Sequence, residues 1–176
     1  GIHVPADVGF QYREPAEDDA HMGADEYDAL IADPTGFLFN TWLPRVSRDI
    51  APIGGPSTYR NNLALVKGGM AMLHYFTALG AQNERLKNEC GTVSAIGGIL
   101  KAPLDILGDK LRGYYGLTND LIEQPEKVLA ACKALMPHLM HVALTSADPE
   151  KIVPITIWMH RGCVPFVTPQ TFETIY

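Results

Sequence analysis

Two apolar segments, 91–102 and 152–159, constrain the fold of this 176-residue chain more than anything else in it. The first is β-branched and glycine-dotted, with Val93, Ile96 and Ile99 among Gly91, Gly97 and Gly98, and it shows no 3.6-residue period. The second carries Ile152, Val153, Ile155, Ile157 and Trp158, interrupted by Pro154. Near-continuous apolar runs of this kind suit strands buried on both faces, as in a parallel sheet. The two lie about 60 residues apart, too far for a hairpin and suited to a parallel crossover.

Helical patterns fill the space around them. Residues 24–31 place Tyr27, Leu30 and Ile31 on one stripe, and Pro34 ends that helix at Asp33 and opens the next. Over 35–47 the spacing turns Phe37, Leu38, Trp42 and Val46 inward. From Tyr59 to about Lys87 apolar residues recur at three- and four-residue spacing (Leu63, Val66, Met70, Leu73, Phe76), with Gly68, Gly69 and Gly80 as weak points. Residues 104–112 read as a short helix or structured loop, 113–116 as a turn and 117–122 as a short helix. Pro125 opens a long helix to about Thr145, with Val128, Leu129, Cys132, Leu135, Met136, Leu139, Met140 and Ala143 as its buried stripe and Pro137 as a kink. Helices, strand, helices, strand, helix is an α/β order. Residues 1–23 form a lead-in with an extended piece near 8–12 and a solvated acidic run at 14–19, and 24–176 is the cored segment of a single domain.

Composition then excludes several function classes. A net charge of −6 repels phosphate backbones, so a nucleic acid partner is not expected. Cys90, Cys132 and Cys163 include no CxxC pair, which points away from a disulfide framework or finger-type zinc site and towards a reducing, cytoplasmic setting. No apolar run of about 18 residues occurs, so no membrane span is expected. The first residues have no signal-peptide character, and the helix begun at Thr168 and Pro169 has no C-cap by Tyr176. Both ends therefore read as cut points inside a longer protein.

Three stretches together resemble the uroporphyrinogen decarboxylase superfamily, which includes the corrinoid methyltransferases. They are 102–113 (APLDILGDKLRG), 124–129 (QPEKVL), and His160-Arg161-Gly162 followed by 168–176 (TPQTFETIY); Ala24 to Asp28 with Asp33-Pro34 also looks like that superfamily's bacterial branch. The match covers roughly residues 22–176. It implies a (β/α)8 TIM barrel, of which this chain supplies an incomplete part, because a whole barrel takes about 250 residues. It further implies an active site at the C-terminal strand ends, with Asp105, Asp109 and Arg112 after one strand and His160 and Arg161 after the other.

The chain also departs from the decarboxylases proper. Asp109 stands where they carry a tyrosine, Met159 where they carry a serine, and their arginine-rich substrate loop has no counterpart. An aspartate among the cationic clamps would repel a polyanionic porphyrinogen. The resemblance therefore implies an enzyme of corrinoid-linked methyltransferase type in full-length form, with uroporphyrinogen decarboxylation of tetrapyrrole biosynthesis as the alternative. A non-catalytic fragment or scaffold that self-associates through open strand edges is a further reading. His160, Asp109 and Asp105 are the candidate catalytic residues. Arg112, Arg161, Tyr114 and Tyr115 are candidate substrate-binding residues; an ion pair is the competing reading for the two arginines, and packing at the rim is favoured over pocket lining for the two tyrosines. No metal is expected on this segment: His160 and Cys163 have His-x-x-Cys spacing, whereas the zinc-dependent members use His-x-Cys with a distant Cys. Zinc and a corrinoid are expectations for the full-length protein only, and the partners expected are a small-molecule substrate or a corrinoid protein.

Overall fold

The computed structural model describes residues 2–3, 11–12, 16, 19–47, 49–164 and 166–176. Most of the acidic run at 14–19 and most of the extended piece expected near 8–12 fall outside them. Strands β1 (Ile2–His3) and β2 (Gln11–Tyr12) pair antiparallel.

The chain is 66% helical, and this overturns the barrel expectation. Closing a barrel requires a ring of strands with no free edge. Here β3 (Gly98–Lys101) and β4 (Ile155–Trp158) form a two-stranded sheet by themselves. They do run parallel, in register Gly98 to Ile155 and Lys101 to Trp158. Each is four residues long, shorter than the apolar segment that contains it. Residues 92–95 have no regular structure, and Pro154, which lacks an N–H, stands just before β4. The fold is mostly helical, with a small parallel sheet laid against it.

The core lies between helices. A 3-10 turn (Ala24–Glu26) leads into α1 (Tyr27–Ala32). Asp33 caps α2 (Pro34–Phe37), its carboxylate accepting from the Gly36 N–H at 2.8 Å, with proline at the first position where no N–H is needed. A π-helical turn, Leu38–Trp42, joins α2 to α3 (Leu43–Val46). A second, Leu107–Arg112, joins α5 (Pro103–Ile106) to α6 (Gly113–Glu123). The stretch read as a turn at 113–116 is thus the start of a helix. Helix α7 (Pro125–Thr145) packs on α1, α5, α6 and β3, burying Val128, Ala131, Cys132, Leu135 and Ala143. Met136 and Met140, expected on the same stripe, are exposed, as are Leu38 and Val46. By length and composition α7 could also cross a membrane.

Two glycines are required by close approach. A Cβ on Gly98 would lie 2.3 Å from the Ala143 carbonyl oxygen, so β3 meets α7 only because position 98 has no side chain. A Cβ on Gly116 would lie 2.9 Å from the Arg112 guanidinium.

That guanidinium is the centre of a buried polar network. Arg112, 1% exposed, donates from Nε and Nη2 to Asp120 at 2.5 and 3.1 Å and from Nη1 to the Met22 carbonyl at 2.8 Å. The Tyr27 hydroxyl donates to the same carboxylate at 2.8 Å, and Gln124 Nε2 at 3.2 Å. Helix α4 (Tyr59–Cys90) is different: none of its 32 residues is buried. Thr58 and Asn61 cap its start reciprocally, and Gly91, at φ 64°, ends it in the left-handed conformation.

Candidate functional site

The parallel pair delivers its two C-terminal ends to one place. The ladder continues past β3 through the Ala102 N–H, which donates to the Trp158 carbonyl at 2.9 Å. Pro103 then starts α5, putting Asp105 in its first turn and Asp109 about one turn further on. After β4 the chain turns at once, so that His160 and Arg161 face those two carboxylates.

Asp105 is 2% exposed. Its carboxylate accepts the backbone N–H of His160 at 2.5 Å and of Arg161 at 3.1 Å. The Tyr176 hydroxyl donates to it as well. Burial, and then the hydrogen bond to Asp105 and that carboxylate's charge, raise the Tyr176 phenol above its ordinary value. Asp105 thus ties the turn after β4 to the start of α5, and Tyr176 closes the arrangement from the C-terminal helix region.

Asp109 has a side chain 8% exposed and three partners. Lys101 Nζ binds Oδ2, His160 Nδ1 lies 3.0 Å from the same oxygen, and Arg161 Nε lies 3.2 Å from Oδ1. The Arg161 contact supplies charge without an aligned hydrogen bond, and Oδ1 is buried with no hydrogen-bond partner among the described residues. Burial pushes this carboxyl up, but hydrogen bonds from Lys101 and His160 and the charges of Lys101 and Arg161 outweigh it, leaving the group below the usual carboxylate range.

His160 forms the open face of the cluster. Its side chain is 63% exposed, while Nδ1 rests on Asp109. A carboxylate at Nδ1 favours the tautomer with the proton there, which leaves Nε2 as the basic nitrogen. Arg161 is 12% exposed and held flat, its guanidinium carbon 4.7 Å from the Tyr114 ring centroid and 5.6 Å from that of Phe166. Tyr114 is fixed in turn by donating to the Phe166 carbonyl at 3.1 Å.

The structure therefore brings together Asp105, Asp109, His160, Arg161 and Tyr114. It does not bring Arg112, which is committed to Asp120 in the core, or Tyr115, whose side chain points to solvent at 60% exposure. Three members were not singled out in the sequence: Lys101, Phe166 and Tyr176. Lys101 carried a signal, a cation at the C-terminal end of an apolar strand eight residues before an aspartate. Phe166 and Tyr176 carried none beyond apolar spacing.

Zinc, which the resemblance implies for the full-length protein, does not fit the residues here. No group of three His, Cys, Asp or Glu side chains among the described residues could hold a metal ion. What the cluster can do is move a proton at His160 Nε2, with Asp109 stabilising the imidazolium and Asp105 holding the turn. No protein-family model, curated protein or solved structure matches the chain.

Proposed function

We propose that the chain carries the proton-handling part of a uroporphyrinogen decarboxylase-like enzyme acting on a small molecule, of the methyltransferase type. The observation that carries this reading is the His160 Nδ1 contact to Asp109 at 3.0 Å, with the imidazole exposed and the carboxylate almost fully enclosed. In the ground state Nε2 is free to take a proton from substrate or water. Once protonated, His160 gives that proton to the leaving oxygen or nitrogen of a methyl donor as its bond to the methyl carbon breaks and that carbon bonds to a nucleophilic methyl acceptor supplied from outside the chain. Asp109 lowers the energy of the imidazolium in between, and Asp105, through the His160 and Arg161 amides, keeps the ring in place. No step is assigned to zinc or a corrinoid.

The charges favour this over decarboxylation of a polycarboxylate. Lys101 and Arg161 both already pair with Asp109, the carboxylate on which His160 rests. A substrate carboxylate would have to displace an internal one that is better placed and already desolvated.

The test is methyl transfer from a methoxylated phenol to cob(I)alamin, followed by the absorbance of methylcobalamin, with uroporphyrinogen turnover assayed in parallel. Methyl transfer is expected, falling by about 10²–10⁴ in His160→Gln, the range for loss of a general acid or base. Uroporphyrinogen turnover without methyl transfer would overturn the choice of reaction. Unchanged rates in both His160→Gln and Asp109→Asn would overturn the site.

A further inference from the structure

One carboxylate oxygen of the His160 cluster serves two groups of different behaviour. Lys101, the last residue of β3, sends Nζ to Asp109 Oδ2, and His160 Nδ1 lies 3.0 Å from the same atom. A lysine stays cationic through the neutral range, whereas a histidine can gain or lose its charge there. The other oxygen, Oδ1, has no aligned hydrogen bond among the described residues and lies 3.2 Å from Arg161 Nε. Asp105 from α5, Arg161 from the turn after β4 and the Tyr176 phenol from the C-terminal end also face this pair. Asp105 is engaged by the His160 and Arg161 amides. With the imidazole neutral, the two permanent cations, Lys101 and Arg161, balance the two enclosed carboxylates, Asp105 and Asp109. An imidazolium would be a charge in excess.

We propose that Lys101 is a positioning residue, which keeps His160 in its neutral, proton-accepting form by occupying and neutralising Asp109 Oδ2. The inference rests on the proton-transfer role given to His160 above. Lys101 acts through the carboxylate: its side chain, 24% exposed, ends on an aspartate that is itself 8% exposed. Without the lysine, Oδ2 would have a lone pair to spare and a charge that Arg161 alone must meet, and both favour a protonated ring on Nδ1. His160 would then hold its proton instead of taking one, and the base would be lost near neutral pH.

The test is the titration of the His160 ring, followed by NMR in the full chain, with the signal assigned by its loss in His160→Gln. In Lys101→Met the midpoint should lie higher than in the unaltered protein by roughly one pH unit, tenfold in the ratio of imidazolium to imidazole. The imidazole is 63% exposed, so solvent screening keeps the effect to that size. Lys101→Arg keeps the charge and should restore most of the original midpoint. Lys101→Gln removes the charge while keeping a donor; it should match Lys101→Met, and it carries the test if the methionine variant does not fold. His74 on α4 and His138 and His141 on α7 serve as references and should not move. In an Asp109→Asn background the effect of Lys101→Met should shrink to less than about a third, because the lysine no longer has a carboxylate to neutralise. An unmoved or lowered His160 midpoint in a folded Lys101→Met or Lys101→Gln would overturn the proposal. So would an arginine variant displaced as far as the methionine one, or a full-size effect in the Asp109→Asn background. The ring titration needs no turnover, so the role of Lys101 and the methyl-transfer reading can fail separately.

Discussion

Replacing Arg112 by alanine should unfold this protein at a markedly lower temperature while leaving whatever binds at the His160 cluster unaffected. The guanidinium is 1% exposed, and its partner Asp120 is equally buried. Removing it leaves the Asp120 carboxylate in the core with Tyr27 and Gln124 as its side-chain donors among the described residues, and leaves the Met22 carbonyl without the Nη1 hydrogen bond. Breaking a buried ion pair from one side costs about 3–5 kcal/mol, mostly from the charge left behind. For a chain of this size about 1 kcal/mol moves Tm by roughly 2–4 °C, so the expected fall is roughly 6–20 °C. Lysine keeps the charge but not the planar fork that meets both carboxylate oxygens, so Arg112→Lys should recover only part of the loss. Removing both charges, as in Arg112→Met with Asp120→Leu, should cost less than Arg112→Ala alone, because no orphaned carboxylate remains. Calorimetric melting and urea titration followed by circular dichroism measure all three. A loss under about 1 kcal/mol for Arg112→Ala, or a double variant worse than the single one, would refute the reasoning. So would intact stability with a raised KM, which is what a substrate-binding Arg112 would give.

Asp109 predicts an acid limb. Its folded-state pKa is depressed, so its contribution is present above the unfolded carboxyl value and is lost as pH falls through the lower folded value. Urea midpoints of wild type should therefore fall as pH drops below about 4, where free aspartate titrates, and Asp109→Asn should flatten that fall; an identical slope in both would refute the assignment. Gly98→Ala places a Cβ 2.3 Å from a backbone carbonyl that cannot swing away, so β3 must move off α7. A loss of about 1–3 kcal/mol in urea is expected, the range for overpacking, and a neutral result would show that the strand and helix separate freely.

The cluster was legible for a local reason. Asp105 and Asp109 fall close after a strand end, and His160 and Arg161 immediately after another, so once the strands lie parallel the four side chains must meet. The core was partly legible in the same way: Tyr27, Leu30, Phe37, Val128, Cys132 and Leu135 all carry helical spacing and all are buried. Position 38 shows the limit. Leu38 sits on the expected stripe yet is 41% exposed, at the point where a π-helical turn begins that rotates the residues after it off the α-helical period. Val46, 39% exposed, falls beyond the same turn.

Periodicity, caps and prolines, all short-range, were enough to place α1, α7, the break at Asp33 and the start of α8 (Pro169–Thr174), whose N-cap Thr168 accepts from the Thr171 N–H at 3.1 Å. Whether an apolar β-branched segment becomes a strand depends on finding a hydrogen-bonding neighbour. That is a property of the whole assembly, so only four residues of each segment became strand and no barrel closed. The fate of Arg112 was settled at the same level. Its sequence neighbours offered it to the site alongside Asp105 and Asp109, but the packing of α1 and α6 put Asp120 and Tyr27 within reach, and a buried guanidinium takes the carboxylate that is buried with it.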